Sequence, residues 1–293
     1  MRKHTIFLTG GSGFIGRNIL EQLGEKYAII APTHKQLDLG NVDSVEAFLK
    51  QNPVDVVVHT ANVGGNRAEK NVSNVMSYNL RIFFNLVHNH RYFKKFIYLG
   101  SGAQYGKQSS LIRVREEALD TRIPTDEFGL YKYVCAKFIE ETPLNMLNLS
   151  IFGIYGKHEE YAFRFISQSL CRVLFDLPIV IKQNVKFDYI YVDDFIRILQ
   201  YFVEHDQQYR TYNIGTGIPI DLVTIAQRIV IITKKNIPIL LEKKGLNLEY
   251  TCATDRLRKE LSSVQYTDFD TALSRLYDWY KNKKTLLQRE LFI

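Results

Sequence analysis

The sequence predicts an α/β protein with a doubly wound parallel sheet and a smaller C-terminal lobe. Short apolar segments alternate with longer amphipathic ones through the first half of the chain, and a glycine-rich turn follows the first apolar segment. After about residue 155 the alternation becomes irregular. Alternating strands and helices favour right-handed βαβ units and hence a parallel sheet. We expect one domain over residues 1–156, a second lobe over 157–293, and a return of the chain to the sheet near 187–215.

The elements of the first half follow from their own patterns. TIFLTG predicts a strand, and SGFIGRNILEQLG predicts a helix because Ile15, Ile19 and Leu23 recur every four residues. YAIIAPT and VDSVEAFLKQN predict the second strand and helix, and VDVVVHTA is a β-branched run suited to burial on both faces of a parallel sheet. The stretch from Val72 to Tyr92 predicts a long helix, and KKFIYLGS predicts a further strand.

The second half gives shorter and less regular predictions. EYAFRFISQSLCRVLF predicts a helix, and PIVIKQNVKFDYIYVDD predicts strands with a turn at Gln183 and Asn184. DDFIRILQYFVEH predicts a helix, and YRTYNIGTG predicts a strand that runs into a glycine turn. The tail from Asp268 to Tyr280 again has a helical pattern.

The composition predicts a cytoplasmic globular protein. With 46% hydrophobic and 24% charged residues it resembles ordinary soluble domains, and no segment approaches the roughly 20 apolar residues of a membrane span. The apolar stretch at the amino terminus is too short for a signal peptide. Cys135, Cys171 and Cys252 are far apart and odd in number, which argues for a reducing compartment and against a zinc site or disulfide framework.

The net charge of +7 has three interpretations: a nucleic-acid-binding surface, a cleft for phosphorylated small molecules, or a solvated surface with no partner. Lysine and arginine are spread along the chain without a nucleic-acid-binding motif, so we expect no nucleic-acid partner. A basic cleft for phosphorylated small molecules would explain the same balance. A solvated basic surface with no partner would explain it as well.

The glycine-rich turn TGGSGFIG predicts a dinucleotide site on a Rossmann sheet. Gly10 permits the tight turn, Gly13 lets the backbone approach a pyrophosphate, and Gly16 lets helix and strand pack closely. Phe14 and Ile15 begin the helix, whose unpaired N–H groups can bind phosphate oxygens. The position of the turn between the first strand and an amphipathic helix makes the prediction specific.

The segment after the second strand favours NADPH over NAD. A carboxylate there would bind the ribose 2′-hydroxyl of NAD and repel a 2′-phosphate. APTHKQLD instead offers His34 and Lys35, with Thr33 nearby and no acid before Asp38. The alternative is a surface loop in which the basic residues are incidental.

Tyr133 and Lys137 are a candidate acid–base pair. They lie four residues apart on a predicted helix and so share one face. Lowering a phenol pKa from about 10 to about 7 requires roughly 4 kcal/mol, of which a neighbouring ammonium can supply a part. Tyr131 has Cys135 four residues later and does not form such a pair.

Several motifs together resemble the extended short-chain dehydrogenase/reductases. TGGSGFIG is followed by HTA at His59 to Ala61, by Ser101 four residues before Tyr105, and by Tyr133 and Lys137, in the order and spacing of that family. IFGIYGKH, YIYVDDF, YNIGTG and ATDRLRKEL resemble its sugar-nucleotide branch. The resemblance covers nearly the whole chain and implies a dinucleotide-binding sheet with a C-terminal substrate-binding lobe.

The resemblance implies roles for particular residues. Tyr133 would be the general acid or base, Lys137 would bind the nicotinamide ribose and lower the tyrosine pKa, and Ser101 would hydrogen-bond the reacting oxygen. The cofactor would also be contacted or supported by three further residues, namely Asp38 at the adenine, Ala61 and Asn79.

The same resemblance implies where the substrate diphosphate binds. The family usually has an arginine at the position of Phe187. Lys186 is a candidate replacement, as are Arg164 and Arg172 on the preceding helix. The identity of the substrate base stays open.

The turn after Ser101 separates the chemistries of this branch. Dehydratases carry acidic residues immediately after the serine or threonine, where this chain has Gly102 and Ala103. The epimerase-reductases that make GDP-fucose use a cysteine at the position of Ala103 and a histidine near YAFRF, where none occurs; His158 lies too early. The residues that remain, Ser101, Tyr133 and Lys137, are sufficient to reduce a ketone.

The resemblance therefore implies an NADPH-dependent 4-ketoreductase of a nucleotide-linked 4-keto-6-deoxy sugar, in surface polysaccharide precursor synthesis. One alternative is an NAD-dependent 4-epimerase of the UDP-galactose type, and another is a non-catalytic NADP-sensing protein. The family also implies a homodimer through the helices at Val72–Tyr92 and Gly129–Thr142, with burial inside the monomer as the alternative.

Overall fold

A computed structural model describes residues 4–64, 73–262 and 264–292. The strands are β1 (Thr5–Thr9), β2 (Ala28–Ile30), β3 (Val56–His59), β4 (Lys95–Ser101), β5 (Leu111–Val114), β6 (Met146–Ile151), β7 (Gly153–Tyr155), β8 (Ile179–Asn184), β9 (Lys186–Tyr191), β10 (Thr211–Ile214), β11 (Pro219–Asp221), β12 (Ile239–Leu246) and β13 (Tyr250–Cys252). The helices are α1 (Phe14–Leu23), α2 (Val42–Gln51), α3 (Val75–His88), α4 (Glu127–Glu141), α5 (Phe165–Leu174), α6 (Val192–Glu204), α7 (Leu222–Thr233), α8 (Asp255–Glu260) and α9 (Phe269–Asn282).

The main sheet has six parallel strands in the order β2-β1-β3-β4-β6-β10. The strand order reverses between β1 and β3, which creates the crevice where ligands bind in such sheets. Helix α1 packs with α6, and α2 packs with α3, so helices cover both faces. The predicted doubly wound α/β fold is confirmed.

Two smaller sheets lie beyond the main one. One has the order β11-β9-β13-β5, with β7 paired to β9, and the other pairs β12 with β8. Within the segment 187–215, β10 joins the main sheet whereas β9 belongs to the second sheet. The turn expected at Gln183 and Asn184 was wrong by one residue. Both residues lie in β8, and Val185 separates β8 from β9.

Strand β6 lies between β4 and β10 in the main sheet, although no apolar run in the sequence predicted it. Its six residues are all buried, including Asn148 and Ser150. Asn148 Nδ2 donates to Gln104 Oε1 at 3.2 Å, to Ser150 Oγ at 3.1 Å and to Thr211 Oγ1 at 3.4 Å. Hydrogen bonds of this kind offset the cost of burying polar groups.

The carboxyl ends of β1, β3 and β4 meet at one edge of the main sheet. The parallel register aligns Thr9 with His59, and His59 with Tyr98. The glycine turn after β1 and the Ser101 turn after β4 therefore lie at the same edge. A continuous apolar core runs from Ile6 in β1 to Phe292 and joins the main sheet to the C-terminal segments.

Two further findings concern the predictions from composition. All three cysteines are buried and unpaired. Among the described residues, no helix is both long and apolar enough to cross a membrane.

Candidate active site

The glycine turn has the close contacts that its pattern predicts. Gly10 has φ +71°, and a Cβ there would lie 2.6 Å from Thr60 Oγ1 and 2.8 Å from Ala61 N. A Cβ at the buried Gly16 would overlap the Gly10 carbonyl oxygen. Glycine is thus required at both positions, since other residues would push the turn away from α1 and β3.

The amino terminus of α1 is suited to a phosphate group. Gly13 caps the helix without a side-chain hydrogen bond, and the first turn has no acidic residue. Phe14 and Ile15 begin this turn, and Gly13 is exposed. The N–H groups and helix dipole favour an anion, so this part of the chain fits a cofactor diphosphate.

Arg17 is a cation in this first turn that the sequence analysis missed. Its side chain is exposed, and its Nε donates to the Ser12 carbonyl at 2.8 Å. The hydrogen bond holds the guanidinium beside the glycine turn. Its position one turn after Gly13 was the available signal.

The connection after β2 keeps its basic residues exposed. Thr33, His34 and Lys35 are all exposed and follow the end of β2. Asp38 is also exposed, and its Oδ1 accepts from Gly40 N at 2.9 Å. The described residues 31–37 thus present positive charge without a carboxylate.

The HTA motif lies against the glycine turn. His59 Nδ1 and Thr9 Oγ1 are 2.7 Å apart, and Ala61 N donates to Thr9 Oγ1 at 3.2 Å. Burial lowers the pKa of His59 to about 3, so its ring is neutral. Asn79 on α3 fixes the loop that follows Ala61. Its Oδ1 accepts from Val63 N at 3.0 Å, and its Nδ2 donates to Val63 O at 2.8 Å. The rest of this loop, and Val72 of the predicted helix, lie outside the described residues.

Ser101 ends β4 and begins a short 3₁₀ turn over Gly102–Tyr105. Its Oγ accepts from Ala103 N at 3.2 Å and lies 3.4 Å from the hydroxyl oxygen of Tyr250 on β13. A Cβ at Gly102 would lie only 2.7 Å from that hydroxyl oxygen. Glycine at 102 therefore makes room for Tyr250, which the sequence analysis did not single out.

The structure does not join Tyr133 to Ser101. The Tyr133 hydroxyl donates to Asp120 Oδ1 at 3.0 Å, and Lys137 Nζ lies 2.6 Å from Asp120 Oδ2 and 3.0 Å from Glu141. Burial and the Asp120 hydrogen bond raise the pKa of Tyr133, and the opposing effect of Lys137 is smaller. The expected lowering of this pKa was wrong, because Lys137 is neutralised by two carboxylates.

Lys132 is a buried amine at the site that the sequence analysis also missed. It is 5% exposed, and its Nζ donates to the carbonyl of Leu99, two residues before Ser101, at 2.7 Å. Burial lowers its pKa to about 7. Phe128 precedes Lys132 by four residues, with its ring centre 5.8 Å from Nζ. An aromatic residue four positions before a lysine thus occurs twice on α4. The pair Tyr133 and Lys137 contains a hydroxyl and the pair Phe128 and Lys132 does not, so the sequence pattern favoured the former.

The three basic residues that were predicted to bind the substrate diphosphate have different environments. Arg164 is exposed at the N-cap of α5, and its charge acts on Tyr250. Lys186 is exposed on β9. The Arg172 guanidinium instead donates to the carbonyls of Pro178 and Phe292, about 12 Å farther along α5 than Arg164. Arg172 therefore anchors the carboxyl end of the helix.

Comparison with known proteins places the chain in a family. The model of the NAD dependent epimerase/dehydratase family matches residues 6–215, from β1 through the end of β10. The chain belongs to this family. The resemblance stated from the motifs is thereby confirmed, as is the class of NAD(P)-dependent oxidoreductases acting on sugar nucleotides.

Individual members of the family match over most of their length. An ADP-L-glycero-D-manno-heptose-6-epimerase from Brachyspira hyodysenteriae is 24% identical over 311 residues, covering 93% of this chain and 92% of the relative. A GDP-L-fucose synthase from Sinorhizobium fredii is 26% identical over 243 residues, covering 75% and 77%. The structure of a GDP-mannoheptose C4 reductase from Campylobacter jejuni with NADP bound superposes with a TM-score of 0.81 at 21% identity, covering 95% and 98%. At this identity the structural match establishes the fold alone.

Proposed function

We propose that the protein reduces the C4 ketone of a nucleotide-linked 4-keto-6-deoxy sugar with NADPH, in the synthesis of a surface polysaccharide precursor. The observation that carries the proposal is the Ser101 turn at the carboxyl edge of the sheet. It offers hydroxyl groups, but residues 102–105 contain no acid and no thiol. A ketone reduction needs one hydride and one proton, whereas dehydration or C3/C5 epimerisation needs a further base near the ring.

Several relatives support this class of reaction. The Sinorhizobium relative is named for making GDP-L-fucose, and the Campylobacter structure is named a C4 reductase with NADP bound. The Brachyspira relative is named an epimerase, which keeps sugar epimerisation as the competing proposal. Ala103 is buried and has no group that could move a proton from carbon, which argues against C3/C5 epimerisation. We favour reduction over 4-epimerisation because the segment after β2 has no acid before Asp38 and so favours NADPH over a retained NAD.

The cofactor proposal is NADPH and rests on the basic residues near the glycine turn. The cofactor supplies the hydride. The N–H groups at the start of α1 would hold its diphosphate, and Lys35, His34 and Arg17 would bind the 2′-phosphate side. Lys132 lies at the carboxyl ends of β3 and β4 and would donate to the nicotinamide ribose.

The substrate would bind between the Ser101 turn and the C-terminal lobe. Ser101 Oγ would donate to the C4 oxygen and hold the carbonyl in line for hydride transfer. Arg164 has no ion pair among the described residues and would bind the substrate diphosphate, together with Lys186.

The proposal is tested by mixing the purified protein with NADPH and 4-keto-6-deoxy sugars linked to GDP, dTDP, UDP or CDP. We expect one NADPH oxidised per ketone reduced, and deuterium from labelled NADPH at C4 of the product. Ser101→Ala should lower kcat/KM by about 100-fold. Ser274→Ala on α9, which removes a hydroxyl that donates to the Asp270 carbonyl, is the matched control. Interconversion of sugars without net NADPH loss would overturn the reductase in favour of the epimerase.

A further inference from the structure

We propose that Tyr250, from the C-terminal lobe, is the second hydroxyl at the reacting oxygen and donates the proton to it. This inference rests on the proposed function, because it assigns a residue to the same reduction. Four observations carry it: the distance to Ser101, the space at Gly102, the environment of the other tyrosines, and the charge beside the phenol.

The two hydroxyl oxygens are placed to bind one acceptor. Ser101 Oγ and Tyr250 Oη are 3.4 Å apart. A third oxygen can lie about 2.8 Å from both, which is an ordinary hydrogen-bond distance. Two donors converging on one point are the arrangement that stabilises an oxyanion. Both residues are partly exposed at the carboxyl edge of the sheet.

Gly102 and the surrounding rings hold the Tyr250 hydroxyl at this point. Any Cβ at position 102 would occupy the space that the hydroxyl fills. The Tyr250 ring lies 4.9 Å from the ring of Phe152 and 6.0 Å from that of Phe187, centre to centre. Its strand β13 is paired on both sides, with β9 and β5. The hydroxyl is therefore positioned by strand pairing, by ring packing and by the space at Gly102.

The other tyrosines around the turn are occupied or turned away. Tyr133 donates to Asp120, and Tyr105 donates to Asn213 Oδ1 at 2.8 Å. The hydroxyls of Tyr98 and Tyr131 are buried, and these two side chains interact with each other. Phe128, four residues before the buried Lys132, has no hydroxyl at all. Within the described chain, Tyr250 is the tyrosine whose hydroxyl contacts Ser101.

The surroundings of Tyr250 keep its phenol protonated, and one neighbouring charge, that of Arg164, favours the phenolate. Burial raises its pKa, although the hydrogen bond to Ser101 and the charge of Arg164 oppose this effect, while Cys252 and Asp126 add to it. The phenol is therefore protonated at neutral pH. As hydride reaches C4, the electron pair of the C=O π bond moves to oxygen, and that oxygen takes the proton of Tyr250. The phenolate is then stabilised by Arg164 and regains its proton from water.

The test compares two conservative variants, Tyr250→Phe and Tyr133→Phe. Each removes only a hydroxyl, and the Tyr250 variant keeps the ring packing. Tyr250→Phe should lower kcat by about 100-fold or more, within the range for losing a general acid, with little change in KM or thermal stability. Tyr133→Phe should stay within about threefold of the wild type, because its hydroxyl bonds an exposed carboxylate. Full activity of Tyr250→Phe, or a selective loss in Tyr133→Phe, would overturn the assignment.

A binding measurement separates this inference from the proposed function. With NADP⁺ present, the wild type should bind a GDP-linked 6-deoxy sugar with a C4 hydroxyl about tenfold tighter than its 4-deoxy analogue, since about 1.4 kcal/mol is tenfold in affinity. Tyr250→Phe should lose this preference, whereas Tyr133→Phe should keep it. If Tyr250→Phe loses a preference that the wild type shows, but the wild type oxidises no NADPH with any ketone, the reductase proposal fails and Tyr250 still binds the C4 oxygen. An unchanged preference in Tyr250→Phe would overturn the role of Tyr250 even in an active reductase.

Discussion

At the scale of single residues, the site depends on what each polar group already contacts. Tyr133 and Lys137 have the spacing of an acid–base pair, yet both contact Asp120. Lys132, five residues before Lys137, has no carboxylate partner among the described residues and contacts the Leu99 carbonyl and three aromatic rings. A buried amine without a counter-ion costs free energy that an exposed lysine does not.

This cost predicts a pH dependence of stability. The unfolded lysine keeps its proton up to about pH 10.5, whereas Lys132 in the folded protein loses it near pH 7. The unfolded state then binds more protons between these values, so stability rises with pH. We expect Lys132 to contribute a rise in the free energy of unfolding of about 2 kcal/mol between pH 7 and pH 9.

Urea denaturation of the wild type and Lys132→Met at both pH values measures this contribution. The variant should be the more stable protein at pH 7, and its stability should rise less toward pH 9. Lys95, whose pKa burial lowers to about 8, is present in both proteins and cancels in the comparison. If the free energy of unfolding rose equally from pH 7 to pH 9 in the two proteins, the burial of an amine without a counter-ion would be contradicted.

At the scale of elements, we propose that the segment between β2 and α2 sets the preference between NADPH and NADH. His34 and Lys35 are exposed there, and the nearest acid, Asp38, accepts from Gly40 N. Asn41 is the N-cap of helix α2, and its side chain accepts a hydrogen bond from Ser44 N at 3.0 Å. The segment that carries the basic residues therefore ends before this cap. The short β2 and this cap hold the two basic residues beyond the edge of the sheet.

Replacing Lys35 with glutamate should change the cofactor preference. The new carboxylate would repel a 2′-phosphate, so we expect KM for NADPH to rise about tenfold or more while KM for NADH stays unchanged or falls. Steady-state kinetics with both cofactors at low salt measure this. Lys50→Glu, which changes the same charge at the exposed carboxyl end of α2, is the control. An unchanged ratio of the two KM values would remove Lys35 from the cofactor site.

At the scale of the whole molecule, α3 and α4 form one partly exposed apolar face. The two helices pack side by side, and the ring of Phe84 on α3 meets that of Phe138 on α4 at 5.2 Å. Each helix presents three apolar side chains four residues apart, which are at most partly buried: Met76, Leu80 and Phe84 on α3, and Leu130, Val134 and Phe138 on α4. We propose that a second copy of the chain covers this face and forms a four-helix interface.

The dimer is tested by light scattering after size-exclusion chromatography. The wild type should run as a dimer, and Phe84→Glu should run as a folded monomer because a carboxylate in the middle of the apolar face would be buried without a partner. Ile231→Glu on α7 replaces a side chain that is 72% exposed and should leave the dimer intact. A monomeric wild type would contradict the proposed interface.

Much of the nucleotide-binding sheet could be predicted because its signals are local. Gly10 needs its left-handed φ, and Gly16 needs its close contact, for reasons that lie within a few residues of the turn. The β-branched run in β3 and the four-residue spacing in α1 likewise report burial directly. Strand β6 gave no such signal, because buried Asn148 and Ser150 interrupt its apolar run. Asn148 finds its partners in Gln104 of the Ser101 turn, in Thr211 on β10 and in Ser150 itself.

The sequence by itself determined the parallel sheet and the place of the glycine-rich turn, because backbone geometry and hydrophobic periodicity act over short distances along the chain. Its motifs carried the resemblance to the family. Only the tertiary structure decided which hydroxyl meets Ser101. Tyr250 is 149 residues away in sequence, and its approach depends on the pairing of β13 and on the missing side chain at Gly102. A contact of that kind has no local pattern, since it arises only when β13 packs beside the Ser101 turn.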